Sequence, residues 1–278
     1  MSVRHQVAIV GAAETTELGN IPGMSSIELH ADSARNAIAD CGIDPARIDG
    51  MACAGQSPVA VAQYLGITPR WLDGTSVGGC SFMLHVRHAA AALAADLCDT
   101  VLITHGESGR SRVGVGGFGG PGFGGATLQG QFEAPYGPTG PPTMFPMGVL
   151  RYMKDFGLTH EQLAMVAVVQ REWAGRNPRA MMHDPITVED VLASRVIAYP
   201  MHLLECCLVT DGGGALILTR ADRAGDFPTA PVYVLGTGES SRRRWSPRWR
   251  TSPPPRLSGS LVPRPSPRPA SAPPTSII

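Results

Sequence analysis

Short apolar runs alternate with helically spaced segments along the first 240 residues, and that order leaves few folds open. Val7 to Val10 (VAIV) followed by Gly11 reads as a buried strand and turn. Ser25 or Ser26 can cap the next helix, with Glu28 in its first turn and Leu29, Ala34, Ala37 and Ile38 at helical spacing before Cys41-Gly42 ends it. Ile48 to Cys53 is the next strand candidate, residues 59–66 a short helix, and Trp71 to Ser76 a strand that enters the Gly78-Gly79 turn. Ser81 to Ala95 then reads as a helix with Phe82, Val86, Ala89, Ala90 and Leu93 on one face. Thr100 to Thr104 (TVLIT) returns as a buried strand. Helices are expected again at about 143–156, at 159–174 behind the Thr159/Gln162 capping pair, and after Thr187, with strands at 215–219 and 232–235. Strands buried on both faces and separated by helices predict an α/β fold with a mostly parallel sheet.

Two stretches break the pattern. Eight of the twelve residues from Gly114 to Gly125 are glycine, so a loop is expected. Gly114, Gly116 and Gly119 satisfy G-x-G-x-x-G, but the fingerprint needs a helix to begin there and Pro121 follows instead, so a dinucleotide site is not expected. The second break falls near Ser240. Residues 241–278 hold ten prolines, eight arginines and no acidic residue, with no periodicity, and predict a disordered tail. Such a tail could dock on an acidic surface or an aromatic-lined groove. The chain also has 22 arginines against the single Lys154, a bias of GC-rich coding DNA, and a shifted reading frame after about Ser240 would give this composition.

The tail's arginines conceal an acidic body, because residues 1–240 carry 15 basic against 23 acidic side chains, about −8 overall. A body of that sign repels phosphate backbones, so nucleic acid is not an expected partner. No apolar run reaches the roughly 18 residues of a membrane helix, and the six cysteines form no CxxC pair, so a reduced cytoplasmic protein without a membrane partner is expected.

Four segments together resemble the thiolase family, and within it the sterol-carrier-protein-like SCP-x branch. They are VAIVGAAETTELG, TSVGGCSFMLHVRHAAAALAADLCDTVLITHGES, RYMKDFGLTHEQLAMVAVVQREWAGRNPRA and MHLLECCLVTDGGGALILT, in that order, over nearly all of residues 4–239. The resemblance implies a thiolase-like layered sandwich of two similar halves, each a mixed five-stranded sheet with helices. Residues 1–230 would form the N-terminal half, with a Gly-rich loop insertion at about 107–142, and residues 231–240 would begin the second half. In the family that second half supplies a histidine that activates the nucleophile and a cysteine that acts as acid and base; neither motif occurs in this chain.

The resemblance further implies a nucleophilic cysteine at the start of the helix matching Ser81 to Ala95. Cys80 stands there, where free N–H groups and the helix dipole favour a thiolate. Such a thiolate could attack a thioester carbonyl and pass the acyl group to coenzyme A or to a carbanion. Gly78 and Gly79 would let substrate approach the backbone. A second alignment, on Ala89 to Leu93, puts Gly79 at the nucleophile's position, as in members of the branch that are not ordinary thiolases.

His105 and Glu107, expected just past a strand end, are candidate substrate-binding residues. Arg110 and Arg112 could meet coenzyme A phosphates or form a solvated cluster. His85 and His88 lie three apart on one helix, but lack a third ligand, so packing or solvent exposure is expected rather than metal binding. Cys206 and Cys207 are expected to pack, and Asp211 to hold a tight turn before Gly212. No metal and no tightly bound cofactor is expected; a coenzyme A thioester would be the substrate.

Three functions remain open. One is an acyl-CoA C-acyltransferase of the acetyl-CoA acetyltransferase type, working as a homodimer in lipid, sterol side-chain or aromatic acid breakdown. Another is a retro-aldol carbon–carbon lyase acting on acyl-CoA with an OB-fold partner subunit. The third is a non-catalytic fragment or scaffold.

Overall fold

The computed structural model describes residues 5–114, 127–137 and 140–239. In chain order the elements are strand β1 (Val7–Glu14), helix α1 (Ser26–Cys41), β2 (Gly50–Cys53), α2 (Pro58–Leu65), β3 (Trp71–Asp73), α3 (Ser81–Ala94), β4 (Thr100–Ser108), α4 (Leu128–Phe132), α5 (Pro141–Phe156), α6 (His160–Ala174), α7 (Val188–Ala193), β5 (Val196–Ala198), β6 (Met201–His202), β7 (Asp211–Arg220) and β8 (Val232–Tyr233). Gly116 and Gly119 of the G-x-G-x-x-G match, with the rest of 115–126, residues 138–139 and the Arg/Pro-rich tail 241–278, lie outside the described residues. The described part of the expected loop insertion carries α4, a 3-10 turn at Ala134–Tyr136 and the start of α5.

The described residues fall into two compact units. The first takes those through Glu14, His30–His105 and those from Gly214 onward; the second takes Thr15–Leu29 and the described part of Gly106–Gly213.

The first unit is organised on a six-stranded mixed sheet of order β3-β2-β4-β7-β1-β8. β2 runs parallel to both β3 and β4, while β1 runs antiparallel to β7 and β8. The resemblance implied five strands. The sixth, β8, comes from the segment expected to start a second half and pairs Val232 and Tyr233 with Ile9 and Ala8 on the edge of β1.

Alternation along the strands assigns the two faces. On one, Val7, Ala52, Val101, Ile103 and Leu218 pack against Ala89, Ala90 and Leu93 of α3, with Phe82 and Val86 joining from the same helix. This is the α3 face predicted from its spacing. On the other, Thr104 of β4 meets the buried His30 of α1, and Leu102 shares its parity. β1 needs glycine to let α1 approach: a Cβ at Gly11 would lie 2.9 Å from the Ala37 carbonyl and 3.1 Å from the Cys41 sulfur. Helices on both faces explain why the strand sequences are apolar without alternation.

The second unit has its own small core. Ala164 and Ala167 of α6 pack with Val191 of α7, and Val168, Ile186, Val188, Leu192 and Leu204 surround them. α6 begins at the predicted capping box, in which Thr159 Oγ1 accepts the Gln162 N–H and Gln162 accepts the Thr159 N–H. Thr187 and Asp190 repeat the device at α7.

Candidate functional site

The site is built where β3 turns into α3. The expected strand 71–76 stops at Asp73, because Asp73 Oδ1 accepts the Thr75 N–H at 2.9 Å and the Thr75 hydroxyl at 2.7 Å, closing a side-chain turn in place of a ladder. Burial works against the Asp73 charge, but the bonds from Thr75 and His88 outweigh it and hold this carboxyl below the usual aspartate range. The chain then runs through Thr75, Ser76 and Val77 to Gly78, which takes φ +91°, a conformation that suits glycine. At the other end of the turn Ser81 is fully buried. Its hydroxyl accepts the Val77 N–H at 2.9 Å and donates to the Gly78 carbonyl at 2.6 Å.

Cys80 is the residue that caps α3, and it is exposed. The six thiols divide sharply. Burial pushes Cys53 and Cys98 up to about 12, with Asp73 adding to the first effect and Asp49 to the second. Burial also raises Cys41 and Cys206. Those four are held as neutral thiols, which leaves Cys80 and Cys207 as the exposed pair. Cys80 alone of the two stands at the N-terminus of a helix of 14 residues. Neighbouring Gly79 has open space around it: a Cβ there would meet nothing within 4 Å. No packing among the described residues therefore calls for glycine at that position.

Behind the α3 start lies a pair of histidines. The His105 ring packs 5.1 Å from Phe82 of α3 and 6.1 Å from His30, edge to face. His30 is fully buried, with Nδ1 2.8 Å from Thr104 Oγ1. Burial, with the neighbouring His105 adding to it, lowers His30 to about 4 and keeps its ring neutral. The expectation that His105 and Glu107 follow the strand end needs correction, since β4 continues to Ser108 and both lie within it. His105 is half-buried and Glu107 exposed.

His85 and His88 are each committed to a separate partner. Fully buried His85 donates its Nε2–H to the Thr75 carbonyl at 2.8 Å. His88 sets Nδ1 2.7 Å from Asp73 Oδ2 and Nε2 3.3 Å from Glu239 Oε2. Both therefore serve the turn before Cys80, a role that helical spacing did not reveal. Among the described residues, no three His, Cys, Asp or Glu side chains gather as a metal site.

In the second unit Asp211 does more than hold a tight turn. Its buried carboxylate accepts the N–H groups of Ile21 at 2.7 Å, Arg110 at 2.8 Å and Ser111 at 2.9 Å, as well as the Ser111 hydroxyl. Burial disfavours the charge, yet these donors prevail and lower the carboxyl. Arg110 is exposed beside this hub. Cys206, expected to pack, is half-buried and directs its thiol to the His202 carbonyl at 3.5 Å, whereas Cys207 is exposed.

No family model matches the chain. It is 33% identical over 249 residues to a steroid side-chain-cleaving aldolase of Thermomonospora curvata, an alignment of 87% of this chain and 64% of the relative. It is 31% identical over 245 residues to an acetyl-CoA acetyltransferase of Methanothermobacter thermautotrophicus, covering 84% and 62%. The solved Ltp2-ChsH2(DUF35) aldolase superposes with a TM-score of 0.77 at 30% identity, over 90% of this chain and 65% of that one. In sequence and in fold the chain is similar to thiolase-like proteins. Its fold is also that of a monomeric SCP2-thiolase like protein of Mycobacterium smegmatis, which superposes with a TM-score of 0.63 at 23% identity over 81% of this chain and 48% of that one. The chain spans under two thirds of the length of the relatives it matches.

Proposed function

We propose that this chain is the N-terminal portion of an enzyme that makes or breaks a carbon–carbon bond in an acyl-CoA, with Cys80 as the acyl acceptor. The observation that carries the reading is Cys80 itself, an exposed thiol at the N-terminus of α3. That is the place at which the resemblance implies the nucleophile stands. Attack of that thiolate on an acyl-CoA carbonyl forms a cysteinyl thioester and releases coenzyme A. A carbanion acceptor then takes the acyl group and returns the thiolate; in the degradative direction the new bond breaks, its electron pair leaves with the acyl-CoA carbanion, and a proton quenches it. Open space at Gly79 and the φ of Gly78 leave the backbone approachable by the thioester. His105 and Glu107 complete the substrate-binding set, and residues 1–230 form the working domain. By the same resemblance the enzyme is a cytoplasmic homodimer of lipid, sterol side-chain or aromatic acid breakdown.

A test follows free thiol while the protein is incubated with a 3-ketoacyl-CoA and coenzyme A. Consumption of coenzyme A that falls about a thousandfold or more in Cys80→Ala supports acyl transfer. Undiminished turnover in that variant defeats it.

A second reading has a specific observation behind it, the likeness to aldolases both in sequence and in fold. Retro-aldol cleavage of a β-hydroxyacyl-CoA needs no cysteine adduct, and the alignment that puts Gly79 at the nucleophile's place suits it. A DUF35-type partner, expected to be a small OB-fold subunit, belongs to this reading. Its signature is an acyl-CoA product formed with no free coenzyme A consumed and with activity retained in Cys80→Ala.

A further inference from the structure

The turn that presents Gly78, Gly79 and Cys80 is held from one side by a hydrogen-bonded series of side chains. Glu239 meets Nε2 of His88, His88 Nδ1 meets Asp73, Asp73 closes the turn on Thr75, and the Thr75 carbonyl accepts from His85. Its members matter unequally. Glu239 is exposed, His88 is half-buried between Glu239 and Asp73, and Asp73 receives both His88 and Thr75. His85 is different: it is fully buried one turn into α3, and its Nε2–H is the donor found on the Thr75 carbonyl.

We infer that His85 is a positioning residue: its buried imidazole, acting through the Thr75 carbonyl, fixes where the Gly78–Cys80 turn enters α3 and so where the Cys80 thiol stands. The local bonds cannot do this alone. Ser81 ties Val77 and Gly78 to the helix start, Asp73 ties Thr75 to the strand end, and half-buried His88 reaches the strand only at Asp73, so none of these bonds joins Thr75 itself to α3. His85 bridges that gap, because it belongs to the rigid helix and its partner carbonyl belongs to the strand side. Losing the bond would take the α3 donor away from the Thr75 carbonyl and let the turn relax. The thiol would then lose its fixed place at the N-cap of α3. A kinetic consequence for catalysis rests on the function proposed above, whereas the placement of the thiol does not.

The experiment separates those two layers. The full chain and its variants are treated with limiting iodoacetamide, and alkylation of Cys80 and Cys207 is quantified by peptide mass spectrometry. Exposed Cys207 serves as the internal reference. His85→Phe keeps the ring volume and removes the donor, and it should slow Cys80 alkylation about fivefold or more while leaving Cys207 unchanged. His85→Gln places an amide N–H where Nε2–H was and should restore at least half the native rate; His85→Asn is too short to reach and should not. If the Phe variant fails to fold, the Gln and Asn pair carries the comparison. In steady-state assays the same variants should lower kcat by on the order of a hundredfold, the cost of misplacing a reacting group by about 1 Å, with KM little changed. Equal alkylation of Cys80 in the native, Asn and folded Phe proteins overturns the inference. The expected alkylation pattern without any acyl-CoA turnover in the native chain leaves His85's role standing and defeats the proposed function instead.

Discussion

Each unit buries a polar side chain to fix a loop, and the two solve the problem with opposite chemistry. In the first unit two of the buried groups are imidazoles: His85 gives one N–H to one carbonyl, and His30 shares one nitrogen with Thr104. In the second unit the buried group is the Asp211 carboxylate, which gathers four donors from Ile21, Arg110 and Ser111. A neutral ring can be buried with few partners because its desolvation cost is modest. A carboxylate must collect several donors before burial is tolerable, and in doing so it joins chain segments far apart in sequence. The difference shows that the first unit spends its buried polarity on aiming one turn, and the second on holding its loops together.

The largest effect should come from removing the charged hub. Asp211→Ala leaves several buried N–H groups without an acceptor and should cost roughly 3–5 kcal/mol, read as a lowered denaturant midpoint. Its pH window is low: the folded carboxyl lies below the unfolded value of 3.8, so its contribution is complete above pH 3.8 and is lost as pH falls further. His30 works in the same sense but in a higher window. Its folded value of about 4 lies below the unfolded 6.5, so the unfolded chain binds the extra proton between them. Stability should therefore fall by roughly 3 kcal/mol as pH drops from 6.5 to 4. His30→Gln should flatten that limb and leave the Asp211 limb in place. Urea midpoints that show one common acid transition, unmoved by either substitution, would erase the contrast.

Smaller effects sharpen it. His85→Phe should cost about 1–3 kcal/mol, less than the hub, since a single hydrogen bond is lost. The exposed ion pairs of Arg220 with Asp96, Asp99 and Asp222 should matter least, with Arg220→Ala costing less than about 1 kcal/mol in thermal melts.

Much of this architecture is legible in the sequence. VAIV and TVLIT mark buried strands, Phe82 to Leu93 mark the α3 face, and Thr159 with Gln162 marks a helix start, because each signal is local and periodic. What escapes is whatever depends on distant partners. His85 and His88 look like an idle i, i+3 pair until the fold brings Thr75 and Asp73 beneath them. Asp211 looks like a turn residue until Ile21 and Ser111 arrive from about 190 and 100 residues away in sequence. β4 continues through His105 and Glu107 because ladder pairing, which polar residues do not forbid, extends beyond the apolar run. β8 is only two residues long and is defined by its pairing with β1. For Cys80 the sequence offered two registers, Cys80 or Gly79. The structure adds that Cys80 is the exposed helix cap and that Gly79 lies in open space.

The central claim is that Cys80 accepts an acyl group from coenzyme A. Brief incubation of the chain with acetyl-CoA, acid quenching and peptide mass spectrometry tests it directly. The account predicts an acetyl increment on the Cys80 peptide, absent from the Cys207 peptide and from Cys80→Ala. An unmodified Cys80 peptide at acetyl-CoA concentrations that saturate the relatives would contradict it.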